Sequence, residues 1–200
     1  VDVVETTFEI GGLSISIEHP PDPVELIDEE AFEREEFLPY WAELWPSAIA
    51  LARVVAELDL RGKSVLELGC GLGLPSIVAA LGGARVLATD WSPDALVFAS
   101  RNARRNGLEL ETRLVAWAEP DGLHAESPWS LVLCADVLYE RRNVEQLLAL
   151  LPSLGSEVLL ADPGRPALPA FLTGAALAWR VECCGAPELP RGGVHRLLAR

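Results

Sequence analysis

Basic residues are scarce in this 200-residue chain, and lysine is almost missing. Lys63 is the only lysine, the other 15 bases are arginines, and methionine is absent. Thirty acids leave a net charge of −14 and an isoelectric point near 4.6. Nucleic-acid binders draw their non-specific affinity from Lys and Arg against phosphate, so this balance argues against a nucleic-acid partner. A coding bias in a GC-rich genome is the economical account of the lysine shortage. Long apolar runs are missing too: no stretch approaches the ~18 to 20 residues of a bilayer span. The opening Val-Asp-Val-Val-Glu has neither a basic nor an apolar leader region. We therefore expect a soluble, cytoplasmic protein with no membrane partner. The four cysteines are no disulfide framework, because a chain of this length buries roughly 70% of its unfolded surface without one. Cys183-Cys184 lacks metal-ligand spacing, Cys70 has no basic neighbour to activate it, and His19, His124 and His195 are scattered. Neither a metal centre nor a nucleophilic triad is expected.

What is present is an ordinary globular composition, 50% hydrophobic and 23% charged, with its acidity concentrated at one end. Residues 1–45 hold 13 carboxylates against one base, Arg34, whereas the remaining 155 residues are close to neutral. Residues 6–17 alternate apolar and polar around Gly11-Gly12, which predicts a β-hairpin. A Pro-rich joint at 19–23 leads to a short acidic helix over 28–37, and residues 47–60 have helical periodicity after Pro46. From Lys63 onward strands and helices alternate. Strands are expected at 64–68, 85–89, 111–115, 130–135, 157–161, 180–183 and 194–199, and helices at 75–81, 93–106, 141–151 and 166–177. That order is the signature of an α/β fold: a Rossmann-like, seven-stranded, mostly parallel sheet flanked by helices. We divide the single globular unit into an N-terminal hairpin-and-helix attachment, 1–60, and a cofactor domain, 61–200.

The most informative segment is Val65-Leu66-Glu67-Leu68-Gly69-Cys70-Gly71-Leu72-Gly73-Leu74-Pro75. An apolar strand runs into three alternating glycines, and Pro75 suits the start of a helix. Such a turn lets a ligand approach the backbone, although a tight turn with no ligand reads the same way. Twenty-one residues past Gly69, Asp90 ends the second strand, where a carboxylate can accept hydrogen bonds from two ribose hydroxyls. A dinucleotide fingerprint, G-x-G-x-x-G, has to hold a pyrophosphate at the helix N-terminus. Here the third glycine comes one position early, and Glu67 places a negative charge beside the turn. A carboxylate is a poor neighbour for pyrophosphate and a good one for ammonium and sulfonium groups. Glu-x-Gly-x-Gly-x-Gly with a downstream acid resembles the motif of the class I S-adenosylmethionine methyltransferases. That resemblance implies S-adenosylmethionine as cofactor. Trp91, next to Asp90, and Trp117, past the third strand, then lie where an adenine would be flanked by apolar surface; core packing is the alternative for each. Cys70 reads as a small residue between glycines.

The fourth strand ends Ala135-Asp136-Val137-Leu138-Tyr139, and ligands of such sheets bind outside the carboxyl ends of the strands. That puts Asp136 and Tyr139 at the reaction edge, with helix capping and core packing as their respective alternatives. An Asp-x-x-Tyr after strand four, together with Pro39 to Ala52 and the glycine loop, resembles the seven-β-strand protein lysine methyltransferases over roughly residues 39–170. Within that group, Asp162-Pro163-Gly164-Arg165 resembles a segment of the electron-transfer flavoprotein β-subunit lysine methyltransferases. The resemblance implies that Trp45 touches the cofactor, Asp90 the ribose, Trp117 and Ala135 the adenine side, and Asp136 the incoming amine. Ala116 departs from the pattern, since many relatives carry Asp before the tryptophan. Arg165 reads either as part of a plain strand-to-helix turn or as a contact for an acidic substrate group or a closing pocket.

The resemblance implies an S-adenosylmethionine-dependent N-methyltransferase acting on protein lysine, with electron-transfer flavoprotein as a candidate substrate. A small-molecule N-methyltransferase of the nicotinamide type and a non-catalytic S-adenosylmethionine-binding protein are the alternatives. The acidic front piece can attract a basic segment around a target lysine, or it is simply a solvated helix.

Overall fold

Val65, Leu66, Glu67 and Leu68 are all buried, with Val65 facing one hydrophobic cluster and Leu66 and Leu68 the opposite one. A strand apolar on both sides demands cover on both sides, which is the condition of a parallel sheet between helical layers. The structure is a computed structural model, and it describes residues 2–22, 39–120 and 122–200. In chain order the elements are β1 (Val4–Ile10), β2 (Leu13–His19), a 3-10 turn (Tyr40–Ala42), α1 (Pro46–Ala56), β3 (Ser64–Leu68), α2 (Leu74–Leu81), β4 (Arg85–Asp90), α3 (Pro93–Arg105), β5 (Glu111–Leu114) and a second 3-10 turn (His124–Glu126). They continue with β6 (Leu131–Ala135), α4 (Arg141–Leu154), β7 (Glu157–Asp162), α5 (Leu168–Ala175), β8 (Trp179–Cys184) and β9 (Gly193–Ala199). The acidic helix expected over 28–37 lies outside the described residues.

The main sheet runs β5-β4-β3-β6-β7-β9-β8, with β9 antiparallel to both of its neighbours and the other pairs parallel. This is the expected Rossmann-like α/β sheet. The chain builds outward from β3 through β4 to β5, then returns to lay β6 on the other side of β3. That reversal opens a crevice at the carboxyl ends of β3 and β6, where the connections on either side diverge. Side chains of α1, α2 and α3 pack with Val65, Leu133 and Leu159 on one face, and those of α4 and α5 with Leu66, Val132 and Leu160 on the other.

Element ends differ from the sequence reading where tertiary contacts decide them. α4 continues through Pro152 to Leu154 because Leu154 is buried and its carbonyl accepts the Trp129 N–H at 2.7 Å. α1 stops at Ala56, and Leu60 is buried from a turn instead of from the helix expected there. α5 begins at Leu168, two residues after Pro166. Among the described residues no helix is long and apolar enough to cross a membrane.

Packing does not break at residue 60. Ile10, Ile15 and Ile17 of the hairpin are buried in the same cluster as Leu51 of α1 and Val65 of β3. The hairpin is fastened to α3 by two asparagines one helical turn apart. Asn102 Oδ1 accepts the Glu18 N–H at 2.8 Å, and its Nδ2 donates to the carbonyls of Glu18 and Leu72. Asn106 repeats the exchange with Ser16, accepting its N–H at 3.0 Å and donating to its carbonyl at 2.8 Å. The side-chain amides stand in for a neighbouring strand and satisfy the edge of β2. Because Leu72 belongs to the glycine loop, Asn102 also ties the hairpin to that loop. Asn102→Ala leaves an N–H and two carbonyls without these partners. Denaturant unfolding of this variant should report a loss of about 3 kcal/mol, and hydrogen exchange should show β2 deprotected before the main sheet.

Candidate active site

The glycine loop between β3 and α2 turns on residues that only glycine serves well. Gly71, at φ 50°, carries its α-carbon so close to the Trp41 carbonyl that an added Cβ would lie 3.2 Å from that oxygen. Gly73, at φ 84°, meets α3, where a Cβ would lie 3.0 Å from that of Ala99. The loop is therefore pressed between the 3-10 turn and α3, with its backbone facing the crevice. Asp90, the last residue of β4, fixes it from the side: Oδ2 accepts the Gly71 N–H and Oδ1 the Ser92 N–H, each at 2.9 Å. Burial raises the Asp90 pKa against the opposing effect of these bonds. The carboxylate is thereby fixed at the border of the crevice, where the hydroxyls of a ligand can meet it.

Glu67 lies under the same loop, fully inside the protein. Its Oε2 accepts the backbone N–H of Ser76 at 3.0 Å and a bond from the Ser76 hydroxyl. Its Oε1 is buried and has no hydrogen-bond partner among the described residues. Desolvation pushes its carboxyl up to about 8, opposed by the Ser76 bonds and reinforced by the nearby charge of Asp90. From β3 the Glu67 carboxyl group thus reaches the first turn of α2, the place where a dinucleotide fold seats pyrophosphate. Cys70 is buried beside these two carboxylates, and desolvation drives its pKa well above the ordinary thiol value. A neutral thiol there is a packing residue and no nucleophile.

At the end of β6, Asp136 adopts φ 58°, an uncommon backbone conformation for a residue with a side chain. Its N–H donates to the Ala161 carbonyl of β7 at 2.9 Å. Its carboxylate turns inward, where Oδ2 accepts the Ser47 hydroxyl at 3.0 Å and Oδ1 pairs with Arg165 Nε. Arg165 comes from the turn after β7, shaped by Asp162 Oδ1 accepting the N–H groups of Gly164 and Arg165 at 2.8 and 2.7 Å. The Arg165 guanidinium lies 5.7 Å from the centroid of the Trp45 ring. Trp45 Nε1 donates to the Tyr40 carbonyl at 2.8 Å, and the Tyr40 ring packs on Tyr139 at 5.2 Å. Burial, with Glu140 and Asp90 nearby, pushes the Tyr139 hydroxyl up to about 12.

These parts line one cleft of about 820 Å³, counting its open mouth. Every residue singled out from the sequence borders it: Trp45, Glu67, Gly69, Cys70, Gly71, Gly73, Asp90, Trp91, Trp117, Ala135, Asp136, Tyr139 and Arg165. Trp91, Trp117 and Tyr139 also border a second cavity of about 660 Å³, which extends past Ala116 toward α4. With alanine at 116, its side chain places no carboxylate there. Tyr40, Trp41, Glu43 and Ala48 border the main cleft without a role assigned from sequence. Ser47, the hydroxyl partner of Asp136, was likewise not singled out. A hydroxyl in the first turn of a mostly apolar helix is its only sequence signal. Among the described residues no group of three His, Cys, Asp or Glu side chains could hold a metal ion.

The cleft fits the cofactor that the resemblance implies. The unpartnered Glu67 Oε1 suits a cationic group, Asp90 a ribose, and the Trp91 and Trp117 rings an adenine. S-Adenosylmethionine would supply there a methyl group on a sulfonium leaving group. The raised Glu67 carboxyl also carries a stability signature. The folded protein holds this proton up to about 8, whereas the unfolded chain releases it near 4.5, so the Glu67 contribution is full below 4.5 and is lost as pH rises toward 8. Thermal melts of the ligand-free protein across that range should show this decline, and Glu67→Gln should flatten it.

Comparison with known proteins agrees with this geometry. A family model described as lysine methyltransferase matches residues 35–161, well over half of the chain. An electron transfer flavoprotein beta subunit lysine methyltransferase of Danio rerio is 36% identical over 137 residues, covering 64% of this chain and 51% of that protein. Protein N-lysine methyltransferase METTL21A of Danio rerio is 37% identical over 122 residues, covering 58% of this chain and 56% of that protein. The chain thus spans about half the length of the curated relatives it matches. Among solved structures, a magnesium protoporphyrin IX methyltransferase of Synechocystis with bound S-adenosylhomocysteine superposes with a TM-score of 0.63 at 20% identity, covering 78% of this chain and 84% of that one, a likeness of fold. With the glycine loop, Asp90 and the Asp136-x-x-Tyr139 edge assembled in one cleft, and with the family model spanning all of them, this chain belongs to the lysine methyltransferase family.

Proposed function

We propose that this protein transfers a methyl group from S-adenosylmethionine to the side-chain amine of a lysine in a protein substrate, electron-transfer flavoprotein β-subunit being the candidate that its relatives favour. The observation that carries the reading is the placement of one buried carboxylate, Asp136, at the same cleft as Glu67 and Asp90. The ribose end of the cofactor belongs to Asp90, its adenine to the Trp91 and Trp117 walls, and its charged end to Glu67. The acceptor end belongs to Asp136 and Tyr139.

Methyl transfer from a sulfonium is an in-line displacement in which the amine nitrogen forms a bond to the methyl carbon as the carbon–sulfur bond breaks. It demands alignment more than acid or base work on the donor. The acceptor reaches the cleft as an ammonium, with a pKa near 10.4 in water. Asp136 attracts and orients it, while proximity to the cationic donor and partial desolvation favour the neutral amine that reacts. Its proton leaves to water. Tyr139, with its hydroxyl pushed up to about 12, stays protonated across the working range and aligns the amine without serving as a base.

Incubating the purified protein with labelled S-adenosylmethionine and purified electron-transfer flavoprotein should place label on lysine of the flavoprotein β-subunit. Nicotinamide should remain unlabelled. Label in nicotinamide alone would replace this reading with small-molecule methylation, and cofactor binding with no transfer to any protein of a lysate would replace it with a binding role. Asp136→Asn should keep cofactor affinity and lower turnover by about a hundredfold or more. Wild-type turnover in that variant would remove Asp136 from the acceptor role.

A further inference from the structure

The acceptor carboxylate already holds a cation. Both Asp136 oxygens are engaged, Oδ1 by Arg165 Nε and Oδ2 by the Ser47 hydroxyl, and the carboxylate side chain is 4% exposed against 27% for Arg165. The arginine is therefore the partner on the solvent side. The Trp45 ring under its guanidinium, braced through the Tyr40 carbonyl, completes a seat made of one carboxylate and one aromatic face. A carboxylate and an aromatic face together favour a cation, so an alkylammonium can be drawn to the seat that the guanidinium holds. Arg165 is anchored by its backbone N–H to Asp162, so its long side chain can leave the seat while the turn stays in place.

We propose that Arg165 is an internal stand-in for the target amine, holding the Asp136 seat until a substrate lysine displaces it. This rests on the methyltransferase reading of the cleft. Exchange of one cation for another keeps Asp136 paired throughout and avoids an isolated buried charge. It also makes Arg165 a specificity residue. A free alkylamine has only its own charge with which to compete against a tethered guanidinium. A lysine carried by a docked protein surface brings additional binding energy to the exchange.

The test is binding of n-butylammonium, a mimic of the lysine side chain, to wild type, Arg165→Ala and Arg165→Gln. Each is titrated by calorimetry with and without S-adenosylhomocysteine, after thermal melts establish that the variant is folded. Arg165→Gln keeps the aliphatic stem as far as Cγ while removing the charge, and so serves if the alanine variant does not fold. The variants should bind butylammonium at least about tenfold more tightly than wild type, and low concentrations of guanidinium should compete for the vacated seat. In methyl-transfer assays the variants should show a lower KM for the lysine substrate, acceptance of free alkylamines, and inhibition by guanidinium. Unchanged butylammonium affinity in a folded variant overturns the proposal. So does a loss of kcat that added guanidinium restores, because that outcome makes Arg165 a positioning residue for Asp136. Failure of wild type to bind S-adenosylhomocysteine, with the butylammonium response intact, overturns the methyltransferase reading and leaves Arg165 only as the occupant of a cation seat.

Discussion

The loops at the carboxyl edge of the sheet leave backbone N–H groups facing away from water, and carboxylates at or near the ends of the strands take them up. Asp90 receives Gly71 and Ser92, Glu67 receives Ser76, and Asp162 receives Gly164 and Arg165. Each bond holds a connection in one shape, so the outline of the cleft depends on these acids remaining in place. Asp136 extends the row by receiving the Ser47 hydroxyl and Arg165, joining α1 and the β7 turn to the end of β6.

The same arrangement creates the electrostatic character of the site. Burial opposes the ionised form of Glu67, Asp90 and Asp162 and raises all three pKa values. A cation entering the cleft relieves that penalty for Glu67 and Asp90, which line it, so a pocket built from structural carboxylates suits a donor and an acceptor that both carry positive charge. Pyrophosphate would meet the opposite situation, with the Glu67 carboxyl group already at the start of α2. Loop closure and ligand preference thus have one physical origin.

Much of this was legible in residue order because it depends on local chemistry. The glycine spacing, the acid 21 residues downstream and the Asp-x-x-Tyr tetrad each concern neighbours along the chain or the end of one strand. Contacts between distant segments were not legible. Ser47 and Asp136 are 89 positions apart, and nothing at Ser47 marks it beyond a hydroxyl in an apolar helix. Asn102 and Asn106 belong to a stretch expected only as helix, yet they pair with the backbone of β2. Arg165 stood open between a plain turn and a substrate contact, and its partner emerged only once β6 and β7 were side by side.

Residue order alone gave the alternation of strands and helices and the glycine turn, because burial periodicity and glycine conformation act over a few residues, and its resemblance to a known motif pointed to the cofactor class. Strand order decided the rest. By returning from β5 to place β6 against β3, the fold brought Ser47, Asp136 and Arg165 to one point and seated the guanidinium between the carboxylate and the Trp45 ring. An ion pair across two strands and a helix start follows from the path of the chain through space, and no local pattern encodes that path.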